Sequence, residues 1–238
     1  SDRPMIDDGM KCWCYYLAED RWIVGGATNN GGNVLDWYRE SLTGIKTSQG
    51  HSWQVGYDDL LKAAESSPAG SSGLVFLAFL AGERAPGWDE NARGVLLGLT
   101  LSHTAADVAR SILEGTVFQL HGIFEALKSF GEQKGRVIAS GGFARSDLWL
   151  KILASVLGSE IEVPRSIEGS VAGAAAIAMI GTEEKKGLEW TSRIRKDPMI
   201  ISPAPEDIER YKRVLRVYRD SYDAMNGIFK ELVDIAER

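Results

Sequence analysis

The chain has 238 residues, 44% of them apolar, and its 33 acidic against 27 basic side chains give a net charge of −6. That length supports a substantial core, as one large domain or two small ones, and the acidic balance argues against a nucleic-acid or anionic-membrane surface, each of which needs clustered Lys and Arg. No apolar run is long enough to cross a bilayer, nothing at the N-terminus reads as a secretion signal, and Cys12 and Cys14 are the only cysteines, so a small partner in a reducing cytoplasm is expected.

From the N-terminus, Lys11 to Leu17 and Trp22 to Ala27 carry aromatic and β-branched residues around Glu19-Asp20 and predict a hairpin. The i,i+2 spacing of Cys12 and Cys14 places them on one face of its first strand. With His51, His103 and His121 scattered, no metal-ligand spacing is present. A turn over residues 29–33 leads into an amphipathic helix through Val34, Leu35, Trp37, Tyr38 and Leu42, and a short helix is predicted from Asp58 to Glu65. The Ser-, Gly- and Pro-rich stretch Ser66 to Gly73 breaks the pattern, Leu74 to Leu80 reads as a buried strand, and a loop follows to Asn91.

Gly94 to Thr100 is predicted as a strand and Thr104 to Phe130 as a long helix, with Val108, Ile112, Leu113, Val117, Leu120, Phe124 and Leu127 at helical spacing. Gly131 to Gly135 ends that helix. A strand over Arg136 to Ala139, a glycine pair and a helix from about Ser146 to Gly158 form a strand, turn, helix unit. Another strand, Glu160 to Val163, and a small-residue helix, Gly169 to Ile180, follow, then a polar stretch from Gly181 to Pro203. A last long helix, Glu206 to Ala236, lines up Tyr211, Leu215, Tyr218, Tyr222, Met225 and Phe229 on one side. Strands first, then alternating helices and strands, indicate an α/β fold with a mixed sheet flanked by helices.

Two segments carry candidate chemistry. In Ser140-Gly141-Gly142-Phe143-Ala144-Arg145-Ser146, glycine lets backbone approach a ligand, and the helix that follows aims free N–H groups at the same space. From chemistry alone this turn suits a phosphate, an adenosine or no ligand, and it does not satisfy the dinucleotide pattern G-x-G-x-x-G. The loop Gly82 to Gly94 is dense in charge and suits a polar-ligand cleft; the plainer reading pairs Glu83, Arg84, Asp89 and Arg93 with one another at the surface.

In order, these segments resemble the FGGY carbohydrate kinases over nearly the whole chain. Gly94-Val95-Leu96-Leu97-Gly98-Leu99, Asp107-Val108 and Ser111-Ile112-Leu113-Glu114 fit the family's C-terminal signature. Gly141-Gly142-Phe143-Ala144-Arg145-Ser146 with Trp149 and Ile152 is similar to its adenosine motif, and Gly169 to Ala175 to the small-residue helix beyond it. The Gly82–Gly94 loop and Gly25 to Gly32 look most like the gluconate kinase branch.

The resemblance implies an actin-like, ribonuclease H-like ATPase domain, with residues 1–238 forming the C-terminal nucleotide-binding unit of a kinase that moves the ATP γ-phosphate to a sugar or sugar acid, gluconate first and xylulose or another polyol as the alternative. It implies ATP and Mg²⁺ as cofactors, with Gly141, Gly142, Phe143 and Ser146 at adenine and ribose and Ser102 approaching the nucleotide from the other side. The family's catalytic Asp and phosphate-binding Gly-Thr motif are expected upstream of Ser1, so the 238 residues alone are expected to be inactive. Exposed apolar surface leaves room for a homodimer. Two rival expectations are a non-catalytic nucleotide-binding module and an unrelated α/β enzyme using Glu83 or Asp89.

Overall fold

The computed structural model describes residues 1–42, 45–46, 52–53, 55–131, 135–165, 169–182 and 197–236. It opens on an antiparallel hairpin, β1 (Trp13–Ala18) and β2 (Arg21–Gly25), in which Glu19 and Asp20 both take positive φ, 50° and 54°. Such a two-residue turn has the twist its strands require. Cys12 falls just outside β1, and both cysteines are free. Next come α1 (Gly32–Trp37), continued by a π-helical turn (Tyr38–Leu42), a minimal antiparallel pair β3 (Ile45–Lys46) and β4 (Ser52–Trp53), and α2 (Tyr57–Ser66).

β5 (Val75–Leu77) pairs antiparallel with β6 (Val95–Leu97), and both are shorter than their apolar runs predict. Gly98 stops β6 in the left-handed region, φ 87°, where an added Cβ would lie 2.7 Å from the Gly73 carbonyl oxygen. The central helix α3 (Ala105–Leu127) packs against α1, α2, α4, α6 and β5. Then come β7 (Val137–Ile138), α4 (Asp147–Leu157), β8 (Ile161–Val163), α5 (Gly169–Gly181), β9 (Met199–Ile201) and α6 (Pro205–Ala236). β8 is the middle of a mixed three-stranded sheet, parallel to β7 and antiparallel to β9.

β9 lies inside the stretch Gly181 to Pro203 that reads as polar and irregular; the rest of that stretch between 183 and 196, and the predicted helix stop over 132–134, lie outside the described residues. The α6 stripe forms as the spacing predicts: Tyr211, Leu215, Tyr218 and Phe229 are buried, with Tyr222 and Met225 packed against the core. No described helix is long and apolar enough to cross a membrane.

The Ser66–Gly73 stretch is no exposed linker. It is a strap pinned over α3 by hydrogen bonds to buried charge. Ser67 and Ser72 donate to Asp107 Oδ1 at 2.7 and 3.0 Å, and the Thr104 amide donates to Asp107 Oδ2 at 2.8 Å as one arm of a capping box. Glu114 accepts from the Gly70 amide (2.9 Å), Ser71 Oγ (2.7 Å), Arg110 Nε (2.9 Å) and Tyr211 OH (3.0 Å). A buried carboxylate is tolerable only when paired and fully bonded in this way. The network ties strap, α3 and α6 together.

Candidate functional site

Two turns build a cavity above α3. The first runs from Thr28 to Gly32 and is held by its own asparagines. Asn30 is fully buried; its Nδ2 donates to the Gly82 carbonyl at 2.7 Å and its Oδ1 accepts the Ala81 amide at 3.0 Å. One side-chain amide thus replaces a strand contact and clamps the turn to the loop after β5. Asn33 closes the turn from the helix side, its Oδ1 taking the Gly31 amide at 2.7 Å and its Nδ2 donating to the Asn29 carbonyl at 2.9 Å. Asx side chains bond nearby backbone readily, which is why this Asn-rich segment turns here.

The second turn is the glycine pair. Gly141 sits at φ 101°, a left-handed conformation that a side chain would strain, and a 3₁₀ turn from Gly142 to Arg145 delivers the chain to α4. Ser146 caps that helix, its Oγ accepting the Trp149 amide at 3.2 Å. Phe143 packs edge-on against Trp149 with ring centroids 6.0 Å apart.

Between the turns lies a cavity of about 640 Å³, large enough for a small-molecule ligand. Gly142, Phe143 and Ser146 line one side and Thr28, Asn30, Gly31 and Gly32 the other. Thr116 and Leu120 of α3 line it as well, and Tyr57 and Leu61 of α2 and Trp149 of α4 add mostly apolar surface. A Cβ built at Gly31, Gly141 or Gly142 meets nothing within 4 Å. That is open space which side chains at those positions would fill, as a cradle for a ligand requires.

Of the sequence-predicted positions, Gly142, Phe143 and Ser146 line this cavity and Gly141 adjoins it. Ser102 is not brought there: it lies in an exposed turn before α3, 2.8 Å from Thr100 Oγ1, beside His103, whose ring contacts the Ser72 carbonyl. Residues 28–32 carried only a branch likeness in the sequence, and Tyr57, Leu61, Thr116 and Leu120 gave no signal at all, because their apolar positions read simply as core.

The charged loop forms a different place. Glu83, Arg84, Asp89 and Arg93 make no ion pairs with one another among the described residues. Instead Arg84 stacks over the Trp88 ring at 6.0 Å, and Arg93 Nη1 donates to the Glu90 and Ala92 carbonyls. Glu83 is buried beside a second cavity of about 490 Å³, where Tyr222 OH donates to its Oε2 and the Gly87 amide to its Oε1 at 3.3 Å. Burial pushes its carboxyl above the usual range. Gln119 lies between the two cavities: its Oε1 accepts Thr28 Oγ1 at 2.8 Å, and its buried Nε2 has no partner.

The family model for the C-terminal domain of the FGGY family of carbohydrate kinases matches residues 9–182. The chain is 32% identical over 235 residues to a gluconokinase of Bacillus licheniformis, covering 98% of this chain and 46% of that protein. It is 27% identical over 205 residues to a xylulose kinase of Bacillus subtilis, 86% of this chain and 39% of that one. Among solved structures, gluconate kinase from Lactobacillus acidophilus superposes with a TM-score of 0.79 at 28% identity, over 97% of this chain and 45% of that one. The chain spans about half the length of the curated relatives it matches.

Proposed function

The chain belongs to the FGGY family of carbohydrate kinases, with the actin-like fold of its structural neighbours, and from that premise we propose that residues 1–238 hold ATP for phosphoryl transfer to a sugar acid, gluconate. The observation that carries this reading is the meeting of Gly142, Phe143 and Ser146 with the Thr28–Gly32 turn around one cavity. Apolar walls from Phe143, Leu61 and Leu120 suit a planar base. Tyr57, Asp58, Arg145 and Ser146 offer the polar groups that orient a ribose. Among the described residues no group of three or more His, Cys, Asp or Glu side chains gathers to hold an ion. Mg²⁺ would arrive on the phosphates of ATP, where it neutralises charge for transfer.

These residues bind and orient the nucleotide, which is most of what phosphoryl transfer asks of a protein. We assign none of them the role of base toward the sugar hydroxyl. Glu83 serves Tyr222 and Gly87 at the second cavity, and Asp89 Oδ1 takes the Asn91 amide at 2.9 Å, so neither faces the glycine turn. Gluconate is favoured over xylulose by the higher identity to gluconokinase and its fuller coverage of the chain.

Calorimetric titration of the chain with ATP and ADP tests the site. Gly142→Val is the informative variant, because a side chain there enters open space and leaves the backbone unstrained. Saturable binding that the valine abolishes, with unchanged melting of the free protein, is the expected result. Binding that survives the substitution would move the nucleotide elsewhere; the substrate is tested in a kinase that joins this chain to the upstream half its relatives carry, where phosphorylation of xylulose in preference to gluconate would overturn it.

A further inference from the structure

On this acidic chain, positive charge concentrates on one ten-residue stretch of α6, away from the nucleotide cavity. From Arg210 to Arg219 the helix carries four arginines and Lys212, and no acidic residue. Like charges three and four residues apart on a helix repel. Arg210, Arg213 and Arg216 line one cavity of about 540 Å³, whose opposite wall is the strap Pro68–Gly73. Arg210 Nη1 donates to the Ala69 carbonyl at 3.0 Å, which holds that guanidinium against the strap. Arg213 and Arg216 form no hydrogen bond or ion pair among the described residues. Of the two acids that flank this run, Glu209 is taken by Lys212 at 2.6 Å, and Asp220, four residues beyond Arg216, makes no ion pair among the described residues.

The negative charge beneath the strap is already committed. Asp107 and Glu114 lie beneath the strap, bonded to its serines, to the Gly70 amide and to Arg110. What the cavity presents is therefore cationic, with apolar surface from Pro68, Val214 and Val217 between the guanidiniums.

We propose that this cavity binds a small organic phosphate, a phosphate dianion on a compact carbon body. A guanidinium offers a fork of donors that takes two phosphate oxygens at once, and its charge strengthens both bonds. Arg213 and Arg216 supply two such forks. The proline and valine surface takes the carbon body. A concave site of this volume admits a sugar phosphate and excludes a duplex or a membrane surface. The inference stands independently of the nucleotide reading, since the two cavities share no lining residue.

The experiment is calorimetric titration of the chain at low salt with glucose 6-phosphate, and with inorganic phosphate and glucose as comparisons. Saturable binding of glucose 6-phosphate is expected, weaker binding of phosphate, and none of glucose. The double variant Arg213→Gln/Arg216→Gln, both exposed positions, should weaken it by about tenfold or more without changing the circular-dichroism melt. Gly142→Val should leave it intact. Absence of saturation up to about 10 mM, binding indifferent to the arginine substitutions, loss with Gly142→Val, or phosphate binding as tightly as glucose 6-phosphate would each overturn the proposal.

Discussion

Asp107 shows how one carboxylate fixes both a helix start and the loop that crosses it. Four hydrogen bonds converge on its two oxygens, from Ser67, Ser72, and the amide and hydroxyl of Thr104, and these donors hold its carboxyl well below the usual carboxylate range. A group with a depressed folded-state pKa lends stability above its unfolded pKa, about 3.9 for Asp, and that contribution is lost as pH falls toward the folded value. Thermal melts from pH 7 to 3 should therefore show Asp107→Asn less stable at neutral pH, with the two curves converging in acid. A constant gap across that range would mean that the charge of Asp107 contributes nothing. At this scale the sequence was partly legible. Gly142, Phe143 and Ser146 stood out because a glycine pair before a helix cap is a local pattern. Asn30 did not, since nothing local distinguishes the asparagine that is buried from Asn29 and Asn33 beside it. Its partners, Ala81 and Gly82, are more than fifty residues away.

Among the elements, α3 was the most legible, because a run of this length repeats its apolar spacing many times. The spacing does not reveal that Arg110 and Glu114 are buried too; only the strap and Tyr211 make that tolerable. β9 was missed for the opposite reason: three residues carry no period to read, and it forms because β8 offers an open edge. At Gly115, α3 lies close against the backbone of β5. An added Cβ there would run into the Phe76 carbonyl oxygen, a backbone atom that cannot rotate away. Gly115→Ala should destabilise by about 1–3 kcal/mol by overpacking, although alanine is the better helix former. Urea denaturation reads this directly, and a gain in stability would show that the helix and strand can separate without loss.

For the whole molecule, the fold was legible in order and class because its elements alternate as an α/β chain must, and the β1–β2 hairpin was legible because its partners adjoin in sequence, while the pairing of β5 with β6 and of β7, β8 and β9 was not, since those partners lie far apart in sequence. A long element joining the parts is α3, which lies under the strap at its start and lines the cavity between the two turns from its C-terminal half through Thr116 and Leu120. Its amides near Glu114 have no separate way to meet solvent: freeing them would undo the strap, the buried charges and the cavity together. The β1–β2 hairpin, with Tyr15 and Tyr16 more than half exposed, can fray alone. Hydrogen–deuterium exchange should therefore separate two populations, a slow one in α3 that opens only with the entire fold and a fast one in the hairpin. Adding ADP should slow the α3 amides by the factor that binding adds to global stability and leave the hairpin rates where they were.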